Sequence, residues 1–562
     1  MARVLIKPYV SPNCVLLALD WPDGGSREDF LGFAIRRTPG FRNQPQSWLP
    51  NRLGFDGPAP QGQDLPSHEN PIQKFLWWDA RVDDADRGRQ FTYEAMPVVG
   101  ARNNLQRLEE SAAQAVIALP KLVEGRIGTC FNRAVTSSQA FSRKFGGELE
   151  GERLEKALAW LANGLEQVIP GFLAGSERLE AVIYHLTDEH WVIPALEAFP
   201  GSVSLVFNQT RKDDSNREAV ERLRGDRKKF SPRTRASIMH NKFIVRLRRG
   251  RPAAVLMGSA NFTTAGLTTQ ANLIHSFDSP ALARLYLDRK KLLEEDPTLA
   301  ETAQQAGWSA PVQVDEAQVR VFFSPERQGQ RKSIDAVVKA VRQATSSVLF
   351  CLFMPTDAQL RRAIFEAGDR GLMMFGLVNK ISERPPQGES ENAGAEAQVE
   401  IFHRSRRDRD VFAHNMYAGA GRPGGFWWET AELPGPRSQW PVYIHHKFVV
   451  IDAETDHPII YTGSANMSKN SLYRNDENLL EIKGSPRLAA IYLTEFLRLY
   501  EHYRARAVWN RCMEGKVETL KLQEDSRWAR KHYQEGTPEY KARVGMVAGA
   551  PRARAARAGR SF

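Results

Sequence analysis

Cysteine is scarce in this chain. Cys14, Cys130, Cys351 and Cys512 are the four present, and no two form a C-x-x-C pair. That spacing argues against a zinc cluster and a disulfide framework, and it suits a reducing cytoplasm. Three of the four sit beside apolar residues, where burial is the ordinary state of a free thiol. Long apolar runs are missing as well. With no stretch of about 18 or more apolar residues, a membrane span is not expected. Met1 to Trp21 lacks a basic start, a clean apolar segment and a small-residue cleavage site, which speaks against export by a standard signal. A cytoplasmic protein is the resulting expectation. Acidic excess is absent too: 77 Lys and Arg face 66 Asp and Glu, for a formal net charge of +11.

What is present fits an ordinary globular chain. Hydrophobic residues make up 42% and charged residues 25%, enough to bury a sizeable core. At about 100–200 residues per domain, roughly three domains are expected. The positive charge is concentrated. From Arg211 to Arg251 there are fifteen Lys or Arg against five Asp or Glu. A field of that sign attracts nucleic acid, anionic lipid surfaces or phosphorylated substrates, although a solvated loop face would look the same.

Residues 1–103 read as an all-β, sandwich-like domain. Val15–Leu19, Phe30–Ile35, Phe75–Trp78 and Gln90–Val99 are short strand candidates, with Pro22–Gly25 a turn. From Asn104 the pattern changes, and the apolar spacing of Leu105 to Leu119 predicts a helix. A helix–strand–helix–strand alternation then runs twice, which implies mixed or parallel sheets flanked by helices. The expected division is a first α/β half over 104–294, a linker over 295–317 and a second half over 318–510. A helical extension over 511–548 and a basic tail over 549–562 follow. Helices are predicted at Leu154–Phe172, Glu189–Ala198, Ser333–Gln343 and Ala358–Ala367. Strands are predicted at Leu179–Tyr184, Val203–Phe207, Ser347–Phe353 and Leu372–Val378. The second half carries extra chain before its motif, including the Pro/Gly/Glu-rich stretch Pro385 to Ala395 and the pair Trp427–Trp428. That pair suits base stacking, a lipid interface or plain core packing. His403–Arg407 is a further basic stretch.

Each half ends in the same constellation. The first is His240-Asn241-Lys242, followed by Gly258-Ser259-Ala260-Asn261. The second is His445-His446-Lys447, followed by Gly463-Ser464-Ala465-Asn466. In both, Gly, Ser and Asn stand 18, 19 and 21 positions after the first His. In an extended strand, residues two apart share a face. Each motif therefore offers an imidazole that can attack or donate a proton, beside an ammonium that can neutralise phosphate oxygens. The turn that follows supplies hydroxyl and amide donors, so Ser259, Asn261, Ser464 and Asn466 are candidate phosphate-binding residues. Two such sets facing each other would place an imidazole on either side of one phosphorus, as in-line displacement requires. No metal and no cofactor is implied, since the lysines supply the positive charge. His446 should face away from the site.

These residues resemble the phospholipase D superfamily, whose signature is His-x-Lys-x4-Asp with a downstream Gly-Ser and Asn, present twice. The resemblance covers roughly residues 120 to 505. Asp452 falls at the signature position of the second copy, whereas Leu247 stands there in the first. The stretch Phe131–Val135 and the preceding β region are similar to bacterial members with an N-terminal sandwich. The resemblance implies a duplicated phospholipase D-like core. It also implies an acid some 30 residues past a motif that fixes the tautomer of a catalytic His. Glu477 fits that place. Gln270-Ala271-Asn272-Leu273 is the matching stretch of the first half, has no acid, and offers the amide of Gln270 as substitute. Family precedent makes His240 the nucleophile and His445 the acid/base, with Lys242 and Lys447 on the phosphate.

The expected function is metal-independent phosphodiester hydrolysis through a phosphohistidine. The basic charge favours a nuclease on DNA or RNA, with Arg227, Lys228 and Lys229 as candidate polyanion contacts. A phospholipase or phosphatidyl transferase is the alternative, because anionic lipid is also drawn to basic patches. An inactive nucleic-acid-binding or scaffold protein is the third reading. The N-terminal β domain is a candidate docking site for a protein partner.

Overall fold

The computed structural model describes residues 1–60, 63–134, 141, 144–145, 149–210, 213–379, 398–403, 405–413, 444–513, 515 and 520–549. Val135, Pro385 to Ala395, Arg404, Trp427, Trp428 and the tail from residue 550 lie outside them, as do the side chains of the His403–Arg407 stretch. The chain divides into two compact units. The first comprises Met1–Lys121, Leu493–Glu495 and the described part of 511–562; the second comprises Leu122–Tyr492 and Phe496–Asn510. Among the described residues, no helix is long and apolar enough to cross a membrane.

The first unit is all-β over Met1–Lys121 apart from short 3-10 turns. Leu5–Ser11, Cys14–Asp20 and Leu76–Asp79 form one sheet. Phe30–Thr38, Ser47–Trp48, Gln90–Ala101, Asn104–Arg107 and Ala113–Ala118 form another. The helix expected over Leu105 to Leu119 is therefore wrong, and the first unit runs to Lys121 instead of residue 103. Ala113–Ala118 pairs antiparallel with Gln90–Ala95. Pairing with a sheet overrides a helical spacing that is only a weak prior. The C-terminal segment belongs here too. Trp528 Nε1 donates to the Phe30 carbonyl at 3.0 Å, and Tyr9 Oη to that of Met546 at 2.7 Å.

The second unit holds the repeated α/β halves. In the first half the strand order includes Leu273–Phe277, Arg251–Gly258, Lys242–Arg248, Arg178–Ile183 and Ser202–Asn208. In the second it includes Asn475–Lys483, Ile459–Gly463, Lys447–Ile451, Ser347–Leu352 and Met373–Asn379. The two orders correspond strand for strand. In each, two parallel strands lie beside an antiparallel motif strand. The central strands are almost wholly buried, as expected of strands covered on both faces. The predicted helix Leu154–Phe172 is two helices, Gly151–Ala162 and Leu165–Ala174. Asn163 (φ 59°) and Gly164 (φ 103°) break it in left-handed conformations, a common way to end a helix. The expected linker is not plain loop: it contains the helix Leu299–Gln304 and the strand Val312–Val314.

The halves exchange backbone as well as packing. Ile238–Met239, just before the first motif, pairs in parallel with Asn475–Asp476 of the second half. Ile444, just before the second motif, bridges Ala271 of the first. Each motif His is thus preceded by a residue that pairs with the other half.

Candidate active site

Each motif Lys opens its strand, and each His stands just before it. The His amides are fixed from the opposite half. His240 N donates to the Asp476 carbonyl at 2.9 Å, and His445 N to that of Ala271 at 3.1 Å. One asparagine per half holds the residue ahead of the His. Met239 N donates to Asn208 Oδ1 at 2.9 Å, and Asn379 Nδ2 to the Ile444 carbonyl at 2.7 Å. Lys242 and Lys447 each turn Nζ onto the carbonyl of their own motif His, at 2.7 Å. An aromatic ring stands edge-on to each imidazole. Tyr184 lies 5.0 Å from His240, Phe353 5.0 Å from His445, and the paired lysine sits over the same ring.

The Gly-Ser turns are shaped by close backbone approach. A Cβ at Gly258 would lie 2.2 Å from the Leu273 carbonyl oxygen, and one at Gly463 2.4 Å from that of Asn478. Glycine is what lets the turn touch the neighbouring strand. The serines bind that strand. Ser259 Oγ donates to Asn272 Oδ1 at 2.9 Å and accepts from Leu273 N, while Ser464 Oγ accepts from Asn478 N at 3.0 Å. Asn261 and Asn466 are buried in the same turns.

The orienting contacts cross between halves. Glu477 Oε1, in the second half, lies 3.2 Å from His240 Nδ1 in the first. Asn272 Oδ1, in the first half, lies 2.8 Å from His445 Nδ1 in the second. The Asn272 amide is held the right way round, because its Nδ2 donates to the Gly266 carbonyl at 2.9 Å. Its oxygen therefore accepts from His445 Nδ1–H, which puts the acceptor lone pair of the neutral ring on Nε2. Asn272 and Glu477 both stand 32 positions after their motif His. Equal offset was the signal that could have found Asn272; the choice of Gln270 is corrected. Gln270 contributes its backbone, whose carbonyl accepts from Asn132 Nδ2 at 2.7 Å, and Asn132 Oδ1 in turn accepts from Asn272 N at 3.0 Å.

Asp452, at the signature position, does not touch either motif His. It lies beyond the far end of the strand Lys447–Ile451, and its carboxylate accepts from the amides of Thr345, Ser346 and Ser347 at 2.8–3.1 Å. It fixes a turn, and Leu247 simply packs as a buried side chain in the first half. His446 points away from the site, between Phe131 and Phe448. Burial and the adjacent Lys447 push it down to about 3.

The basic triplet is not at the site. Lys228 pairs with Val203, and Arg233 with Asn208, along the parallel edge strand Lys228–Arg233. Asn208 is at the end that meets Met239, so Lys228 is about 17 Å away at the opposite end of the strand. Lys228 Nζ caps the Leu196 carbonyl at 2.9 Å, Arg227 binds that of Pro200 at 3.1 Å, and Lys229 pairs with Glu294 at 2.9 Å. Among the described residues, no three or more His, Cys, Asp or Glu side chains are grouped to hold a metal ion.

Both motif lysines and Glu477 are buried beside the two imidazoles. Burial pushes His445 well below the ordinary histidine range, and the charges of Lys447, Lys242 and His240 add to it. Burial raises Glu477, against the opposing pull of Asn475, Lys242, Ser471 and Lys447. Those mutual influences bind both motifs into one electrostatic unit. An anion placed between the lysines would offset the charges that hold His445 down.

Parts of the chain are similar to known proteins. Residues 337–500 match the family model described as cardiolipin synthase, PLD-like domain. The mitochondrial cardiolipin hydrolase of Mus musculus is 23% identical over 171 residues, covering 30% of this chain. The match spans 59% of that relative's length. Phosphatidylserine synthase of Haemophilus influenzae Rd KW20 is 12% identical, covers 69% of this chain and 94% of its own, and has a TM-score of 0.40. Nuc of Salmonella typhimurium, a phospholipase D family member, is 18% identical, with 37% and 99% covered and a TM-score of 0.19. Residues 337–500, which hold the second His-x-Lys set, thus match a PLD-like domain, and the first set meets it in one site.

Proposed function

We propose that this chain hydrolyses phosphodiesters through a phosphohistidine on His240, without a metal ion, and that nucleic acid is its preferred substrate class. The crossed orientation of the two imidazoles carries the reading. In the first step His240 Nε2 forms a bond to phosphorus as the bond to the leaving oxygen breaks. That oxygen takes a proton from His445 Nε2. In the second step His445 removes a proton from water, the water oxygen attacks phosphorus, and the P–N bond breaks. The assignment follows from charge. A phosphorylated imidazole is cationic, and Glu477 places a carboxylate 3.2 Å from His240 Nδ1. Asn272 gives His445 orientation with no charge, which suits a group that must exchange protons. Lys242, Lys447, Asn261 and Asn466 hold the phosphoryl oxygens. Ser259 and Ser464 hold the turns that present those amides.

A pH signature follows. His445 must be protonated in the first step, and activity that needs a protonated group falls as pH rises through its pKa. Its pKa in the free enzyme lies below the ordinary value. A bound phosphodiester neutralises the lysines and raises it. The alkaline limb of kcat is therefore expected at higher pH than that of kcat/KM, for a substrate with a poor leaving group. Coincident limbs would contradict the role given to His445.

The nucleic-acid preference rests on the net charge of +11. A second reading, a phospholipid substrate, is favoured by the cardiolipin named in the matched family and in the relative. Single- and double-stranded DNA, RNA and cardiolipin vesicles should be offered to the full chain with and without EDTA. Cleavage of nucleic acid that survives EDTA is expected. Turnover of cardiolipin alone would make the lipid reading the correct one, and loss of all turnover on chelation would overturn the metal-free mechanism.

A further inference from the structure

Glu477 is useful only if it faces His240, and something must hold it there. Consecutive strand residues point to opposite faces, so a slip of one residue along Asn475–Lys483 would turn the carboxylate away. The neighbour, Asp476, faces a buried ion cluster. Arg233 Nε meets Asp476 Oδ2 at 2.8 Å, and Arg289 Nη2 lies 3.3 Å from Oδ1. Arg233 and Asp476 are fully buried. Both arginines belong to the first-half side of the unit: Arg233 ends the edge strand Lys228–Arg233, and Arg289 lies on the helix Pro280–Glu294.

The arginines are themselves pinned. Arg233 Nη1 reaches Asp296 Oδ1 at 2.8 Å and the Pro297 carbonyl, and Arg289 Nη2 donates to the Ser324 carbonyl. Asp296 also accepts from Thr234 N at 3.0 Å and Arg235 N at 3.2 Å, so the chain leading to the first motif is tied into the same cluster. The Asp476 carbonyl in turn accepts from His240 N at 2.9 Å. On the other side of Glu477, Asn478 Nδ2 donates to Asn241 Oδ1 at 2.9 Å. The residues on either side of Glu477 are thus bound to the first half, and those on either side of His240 are bound to the second.

We propose that the Arg233–Asp476–Arg289 cluster is the positioning device of the active site, setting the strand register that holds Glu477 against His240. The cluster touches no substrate and acts through Glu477. A purely cohesive ion cluster would affect stability and leave the His240–Glu477 contact alone. A buried pair is a poor source of net stability, and setting register is a role for which buried ionic groups are known.

The proposal rests on the catalytic reading above, so its test needs one readout that does not depend on turnover. Asp476→Asn and the milder Arg233→Lys should be made in the full chain, alone and with Glu477→Gln. On bis(p-nitrophenyl) phosphate each is expected to lower kcat by about 10–10²-fold with KM little changed, the scale of a small misplacement. In the Glu477→Gln background each should cost less than about twofold, because the contact it protects is already gone. Equal losses in both backgrounds would overturn the proposal. Independently, the His240 ring titration followed by NMR should fall in Asp476→Asn toward its value in Glu477→Gln. A His240 titration unmoved in the folded variant would overturn the proposal even if turnover fell. Absence of hydrolysis by the unaltered chain, with the NMR shift present, would instead refute the catalytic reading and leave the positioning role standing.

Discussion

His240→Ala and His445→Ala should each remove nearly all turnover, and the double variant should be little worse than either. Positioned proton transfer alone contributes about 10²–10⁴-fold, and loss of the nucleophile removes the covalent route altogether. The effects should not add, because neither half-reaction proceeds without the other imidazole. The crossed contacts strengthen the expectation. Each ring is oriented by the opposite half, Glu477 for His240 and Asn272 for His445. No half contains a complete set on its own. Steady-state kinetics on one phosphodiester with all three variants gives the answer. A single variant that keeps most of its activity would mean that its half takes no part in the chemistry.

Lys242→Met and Lys447→Met are expected to reduce kcat/KM by about 10²–10³-fold each, the cost of removing one preorganised donor to a developing anionic oxygen. Methionine keeps most of the side-chain volume, so the change is chiefly one of charge. Both ammonium groups sit in a site with almost no solvent exposure, at 1% for Lys242 and 0% for Lys447, where charge acts through a low effective dielectric. Divalent cations should not restore the loss if the lysines are the only phosphate clamp. Recovery of most of the activity on adding Mg²⁺ or Zn²⁺ would show that the site takes a metal after all.

Much of this site can be read from the sequence because its chemistry is local. The His-x-Lys pair and the Gly-Ser-x-Asn turn recur at fixed offsets, and a strand–turn–strand unit keeps such offsets when duplicated. The corresponding strand orders of the two halves follow from the same repetition. What was hidden is what depends on distant chain. The exchange of orienting residues is set by the pairings Met239 with Asp476 and Ala271 with Ile444, for which no local pattern exists. Asn272 and Gln270 are both amides in a stretch without an acid; the offset of 32 that Asn272 shares with Glu477 singles it out, and its bond to His445 bears that out. Asp452 matched a signature position but serves a turn, so a motif residue need not touch the reaction.

The basic triplet shows a different failure. Eleven to thirteen residues before His240 sounds near. A strand that runs the length of the sheet nevertheless carries Lys228 to its far end. Leu105 to Leu119 failed for a third reason. Leu105, Leu108, Ala112, Val116 and Leu119 have helical spacing, yet the segment folds as strands, and Val116 is 65% exposed. Its sheet partner at Gln90–Ala95 decides the matter.

The central claim is a single site in which one half makes the covalent bond and the other half resolves it. It is tested most directly by trapping the intermediate in His445→Ala with bis(p-nitrophenyl) phosphate, whose leaving group needs no proton. The variant should release about one p-nitrophenolate per enzyme in a burst and then stall, because no base remains to activate water. Digestion under alkaline conditions, which preserve a phosphorus–nitrogen bond, should find the adduct on His240 and nowhere else. His240→Ala should give neither burst nor adduct. A burst without a histidine adduct, an adduct on another residue, or equal behaviour of the two variants would contradict the account.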